Sequence, residues 1–122
     1  MVYRPAMNEE SAFCPVFEAI NLLQEKWTLH IIRSLLNGPA GFNELRRSIG
    51  NCNTTTLSER LESLTRNGLV AKTVQSVMPP RTSYALTLAG EDLGQVIGAI
   101  DRWSQQHLSP ENWIGAPGER VA

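Results

Sequence analysis

The chain has 122 residues, 42% of them hydrophobic and 19% charged, with a formal net charge of −1. That is the make-up of one globular domain and excludes a disordered or fibrous chain. No apolar run reaches the ~18 residues of a membrane-spanning helix, and the opening MVYRPAMNEESAF lacks the basic-then-apolar layout of a secretory signal, so the chain reads as cytoplasmic, with no membrane partner.

Residues 1–12 mix polar, proline and small residues without periodicity and read as a flexible arm. Pro15 stands where a first helical residue would, and Val16, Ala19, Ile20 and Leu23 recur at helical spacing, which predicts a helix over 15–24. A second helix is predicted over 26–37, with Trp27, His30, Ile31 and Leu35, stopped by Asn37-Gly38-Pro39. FNELRRSI, residues 42–49, makes a short third helix with Phe42, Leu45 and Ile49 on one face and Arg46 and Arg47 off it. After Gly50-Asn51 a fourth helix opens at Asn53, a favoured N-cap, carries the stripe Leu57, Leu61, Leu64, and ends at Asn67-Gly68.

The period then changes from 3.6 to about 2. LVAKTVQSV and SYALTL flank the turn MPPRT, a β-hairpin with Arg81 at its tip. From Ala89 the helical period returns, with Leu93, Val96, Ile97, Ile100, Trp103 and His107 predicting one long amphipathic helix that stops before Pro110. This order of elements is that of a winged helix-turn-helix: an α+β, mainly α fold over residues 13–108, with an added C-terminal helix and a tail over 109–122.

That order bears on the most unusual stretch, NTTTLSERL. Threonine is a poor helix former, yet three of them open the fourth helix. In a helix-turn-helix this end meets the major groove, and Thr54, Thr55, Thr56 and Ser58 offer small hydroxyls that donate to or accept from a phosphate or base edge. Glu59 can accept from a cytosine amino group or order a neighbouring arginine, and Arg60 lies on the flank of the same helix. A Thr/Ser-rich first turn also serves simply as a capping region. Arg46 and Arg47 suit phosphate contact or a solvated face alike, and Arg81 suits a wing reaching the DNA backbone or minor groove. Charge is distributed accordingly: residues 41–90 hold six basic and three acidic side chains, and 91–122 hold two basic and five acidic.

The segments CPVFEAINLLQEKWTLHIIRSLLNGPAGFNELRRSI, TLSERLESLTRNGLV and MPPRTSYALTLAGEDL resemble the HxlR-type family of bacterial winged-helix transcription regulators, relatives of the MarR-like proteins. The resemblance covers roughly residues 13–107. It implies a homodimer held by the first and last helices and bound to a pseudo-palindromic operator in double-stranded DNA. The chain departs from the family at Thr54 and Thr55, where proline and a basic residue are common, and at Cys52, where an aliphatic residue is usual. Independently, the last helix has more apolar surface than one small domain can cover, which predicts a dimer interface with Leu93, Val96, Ile97, Ile100 and Trp103, to which the resemblance adds the first helix with Val16 and Ile20; Trp113 and Ile114 are candidates to pack back on it.

Cys14, at a helix start before Pro15, is a candidate redox thiol, because a helix N-terminus can lower a thiol's pKa; the resemblance adds that some family members use a cysteine there, in some cases bridging the dimer. Cys52, beside the fourth helix, is a candidate second thiol, and both also suit small buried packing residues. His30 and His107 lack metal-ligand spacing to any cysteine, and no phosphate loop or nucleophile motif is present, so neither metal, cofactor nor enzymatic activity is expected. An effector, small molecule or oxidant, is not named by the sequence. The alternative from another class is a winged helix used for protein contact.

Overall fold

The computed structural model describes residues 12–111. Nearly all of the predicted arm and the tail beyond residue 111, with Trp113 and Ile114, lie outside the described residues.

The first helix, α1 (Pro15–Leu23), buries none of its residues. The chain turns at Trp27, whose φ of 78° is left-handed and stops helical propagation, so α2 spans Thr28–Leu35 and begins later than its hydrophobic pattern suggests. The strained turn is held by side chains: the Trp27 ring lies 5.7 Å from His30, and the Lys26 ammonium is 5.4 Å from its centroid. Gly38, at φ 133°, ends the second helix as its stop signal requires.

Two residues, Ala40–Gly41, form β1, and α3 (Phe42–Ser48) follows directly. Gly50 and Asn51, at φ 110° and 58°, make the turn into α4 (Thr54–Arg66). The wing is β2 (Val70–Val77) and β3 (Pro80–Leu86), antiparallel, joined by Met78 and Pro79 alone. Sheet order is β1-β3-β2, with Gly41 opposite Ser83 and Ala40 opposite Tyr84. A strand of two residues leaves no alternation to read, which is why the sequence did not show β1.

The predicted C-terminal helix is two helices, α5 (Leu88–Asp92) and α6 (Gly94–His107). At the break the Leu93 amide donates three residues back to the Gly90 carbonyl, a tightened turn that lets Leu93 pack against the core. Thr87 locks α5 to the wing: its Oγ1 accepts from the Gly90 amide at 3.2 Å and donates to the Gly68 carbonyl at 2.6 Å. The core is built by Ile31, Ile32 and Leu35 of α2, Leu45 of α3, Leu57, Leu61 and Leu64 of α4, and Val70 and Tyr84 of the wing. Each fully buried aliphatic side chain contributes about 1.5–3 kcal/mol, so the helix-turn-helix is the most firmly anchored part of the chain. No helix among the described residues is long and apolar enough to cross a membrane.

Candidate nucleic-acid interface

The three leucines of α4 are at most 2% exposed, and that stripe fixes which face of the helix points outward. Thr54, Thr55, Ser58 and Glu59 are exposed and Thr56 is half-buried. The Asn53 side chain caps the helix by accepting from the Thr55 and Thr56 amides at 2.8 and 3.2 Å. Those two amides are therefore taken, and the threonine and serine hydroxyls are the side-chain donors at this end.

Arg60 differs from the expectation more sharply. Its side chain is only 22% exposed, its Nε donates to the Lys26 carbonyl at 2.9 Å, and its guanidinium lies 4.0 Å from the carboxylates of both Glu25 and Glu59. The flank position on the wheel turns it back onto the α1–α2 turn rather than outward, so it braces α4. Glu59 accordingly takes the role of ordering an arginine. Arg66 is matched by Glu62 at 3.4 Å, one helical turn away.

In α3, Arg46 is half-buried and its Nε is buried without a hydrogen-bond partner among the described residues, whereas Arg47 is exposed. Arg81 is not at the hairpin tip but in β3, opposite Ser76. The tip is Met78-Pro79, and β3 begins three residues earlier than expected, with Pro80 at the first strand position, where a missing N–H is tolerated. Arg47 and Arg81 nevertheless both line one polar cleft of about 530 Å³ between α3 and the wing. Gln75, at the bulge between Val74 and Ser76, lines it too. The sequence carries no signal for that bulge.

Both cysteines are thiols and both are buried, Cys14 at 4% and Cys52 at 1% exposure. Burial pushes the Cys52 thiol above its ordinary pKa, outweighing the opposite pull of Arg60, Lys26 and Arg46 and of the Leu57 backbone amide. Cys52 lies in the core cluster, the packing alternative that the sequence offered for it.

Away from this face the chain exposes a large apolar surface. On α1 and the residues before it, Phe13, Val16, Phe17 and Ile20 are 45–61% exposed; on α6, Val96, Ile100 and Trp103 are 37–56% exposed. Both helices pack against α2. Ile97 is half-buried, and Leu93 turns inward onto the core. Phe13 and Phe17 were missing from the sequence-based interface, although their i, i+4 spacing was readable. Among the described residues no group of three or more His, Cys, Asp or Glu side chains is arranged to hold a metal.

Residues 22–112 match the family model described as HxlR-like helix-turn-helix. This chain belongs to that family. It is a DNA-binding transcriptional regulator of the HxlR and MarR-like type, and its fold is the winged helix of that group. Among its relatives, the HTH-type transcriptional regulator YvaP of Bacillus subtilis is 35% identical over 102 residues, covering 83% of this chain and 94% of the relative. A MarR-family transcriptional regulator of Porphyromonas gingivalis W83 superposes with a TM-score of 0.74 at 31% identity, covering 86% of this HxlR-like chain and all of the other. The regulator YodB of B. subtilis, in its reduced form, superposes with a TM-score of 0.68 at 33% identity, covering 80% and 97%. YodB is also known in diamide-treated and quinone-bound forms.

Proposed function

We propose that this regulator acts in the cytoplasm as a homodimer on a pseudo-palindromic operator, with the start of α4 in the major groove and the wing on the flanking backbone, and that the Cys14 thiol makes binding responsive to oxidants or electrophiles. The observation that carries the dimer is the exposed apolar face of α1: Leu22 and Leu23 at its end pack against the core, but Phe17 at 59% and Ile20 at 57% exposure are left uncovered by the described residues. Pairing with a second copy covers it together with Val96, Ile100 and Trp103 of α6. On the opposite chemistry, the outward side of α4 presents hydroxyls and charge with no large apolar residue, which favours DNA over a protein partner there. Thr54, Thr55, Thr56 and Ser58 are the base- and phosphate-facing residues of this reading, Arg47 and Arg81 its backbone contacts, and Arg60 and Glu59 its brace.

Cys14 is 4% exposed, but it stands at the start of a helix whose first residues are exposed, so opening the first turn of α1 uncovers the thiol while Leu22 and Leu23 stay on the core. The treatment recorded for YodB supports the chemistry: a diamide-type oxidant takes two electrons and two protons from a pair of thiols as their disulfide forms. The test is a titration of the full chain, reduced and then diamide-treated, against the duplex upstream of its own coding region and a scrambled duplex at fixed salt. Preferential binding that changes on oxidation, and no longer changes in Cys14→Ser, is expected. Equal affinity for both duplexes in both states would favour the protein-contact alternative.

A further inference from the structure

We propose that the cleft between α3 and the wing is a seat for a single backbone phosphodiester, on which Arg47 and Arg81 close together. The proposal rests on the DNA-binding reading above and adds which part of the DNA this cleft takes. Arg47 lines the cleft from a helix and Arg81 from a strand. Arg60 and Arg66 have carboxylate partners within 4.0 Å, whereas neither cleft arginine does among the described residues.

The one carboxylate of the cleft, Glu44, is occupied: its Oε1 accepts from the Gly41 amide at 3.0 Å and caps α3. Two guanidiniums and one carboxylate leave a single net positive charge. A phosphodiester carries one negative charge, while inorganic phosphate and phosphomonoesters carry about 1.5 to 2 at neutral pH. The diester is the anion that this cleft neutralises.

The two arginines are also pre-positioned. Gly41 pairs with Ser83, so the residue immediately before α3 is fixed to the strand two residues beyond Arg81. An added Cβ at Gly41 would already stand 3.4 Å from the Thr82 carbonyl, so the backbones approach closely there. Guanidinium forks match phosphate oxygens in a bidentate manner, and two of them carried on backbones held this close suit one phosphate between them. Gln75 adds an amide at the bulge.

The experiment uses the full chain as wild type, Arg47→Ala, Arg81→Ala and the double variant. The probe is a duplex that the wild type selects from a random pool, prepared also with single uncharged methylphosphonates along its backbone. Both side chains are exposed, so folding is expected to survive; Lys replacements at both positions, which keep the charge and lose the fork, serve as a second pair. Each alanine is expected to weaken binding about tenfold, with the double variant little weaker than either single. One methylphosphonate position per half-site is expected to erase both effects. Multiplying losses in the double variant, or two arginines answering to different phosphates, would overturn the shared seat while leaving DNA binding intact. Inorganic phosphate, at constant ionic strength, is expected not to displace the duplex; displacement from wild type but not from the double variant would overturn the diester in favour of a free-anion site. Failure of the wild type to select any duplex would overturn the DNA-binding reading itself.

Discussion

Arg60 donates from its Nε to the backbone oxygen of Lys26 across 34 residues, at 2.9 Å, and thereby ties α4 to the left-handed turn at Trp27. A charged donor on a carbonyl, with the side chain largely shielded, is worth about 1–2 kcal/mol. Arg60→Met, which keeps the aliphatic stem, is expected to lower the unfolding free energy by that amount in urea denaturation and to leave the preferred DNA sequence unchanged. A changed base preference with unaltered stability would put Arg60 in the groove instead.

The opposite pattern is expected one helical turn earlier. Thr55 contributes its amide to the Asn53 cap, while its hydroxyl has no hydrogen-bond partner among the described residues. Thr55→Val is therefore expected to cost little stability and to erode discrimination between selected and scrambled duplexes by about 1–3 kcal/mol, with non-specific binding intact. Asn53→Ala is expected to do the reverse, losing about 1 kcal/mol of stability through the cap. Thermal melts and competition titrations of the two variants check the pair.

The fold was legible because its signals are local and strong. The stop at Asn37-Gly38-Pro39, the Asn53 cap and the leucine stripe of α4 each act within one or two turns of chain. What escaped depends on distant partners: β1 exists only because Tyr84 and Ser83 lie opposite it, and the α5–α6 break exists because Leu93 finds the core. The same division holds at the site. The exposed threonines followed from periodicity alone, but the wheel could not show that Arg60 would meet Lys26, nor could the sequence show that Arg47 and Arg81 would line one cleft.

Gly90 marks a close crossing. A Cβ there would fall onto the Leu69 carbonyl oxygen and stand 3.0 Å from Leu86 Cδ2, and backbone cannot swing aside as a flexible side chain can. Gly90→Ala is expected to destabilise by about 1–3 kcal/mol or more, despite alanine's better helix propensity. A neutral or stabilising result in chemical denaturation would mean that α5 can slide away from the wing at no cost.

Cys52 gives a pH dependence of defined sign. Burial raises its pKa above 9.0, the ordinary value, so the folded chain keeps a proton that the unfolded chain releases. The stabilising contribution is complete below pH 9.0 and is lost as pH rises through the folded value. Cys52→Ala loses core packing at every pH but escapes this loss, so the stability gap between wild type and variant is expected to narrow as pH rises above the ordinary thiol value of 9.0. A gap that stays constant would show that the thiol titrates alike in both states.

The most direct test of a dimer reading a two-fold operator is geometric. The duplex selected by the wild type is expected to hold inverted half-sites about one helical turn apart, and inserting about five base pairs between them turns one half-site to the far side of the helix. Measured by titration at fixed salt, affinity is expected to fall at least tenfold on that insertion and to recover partly on insertion of a full turn. Affinity indifferent to the spacing, or a selected site without inverted halves, would contradict the account.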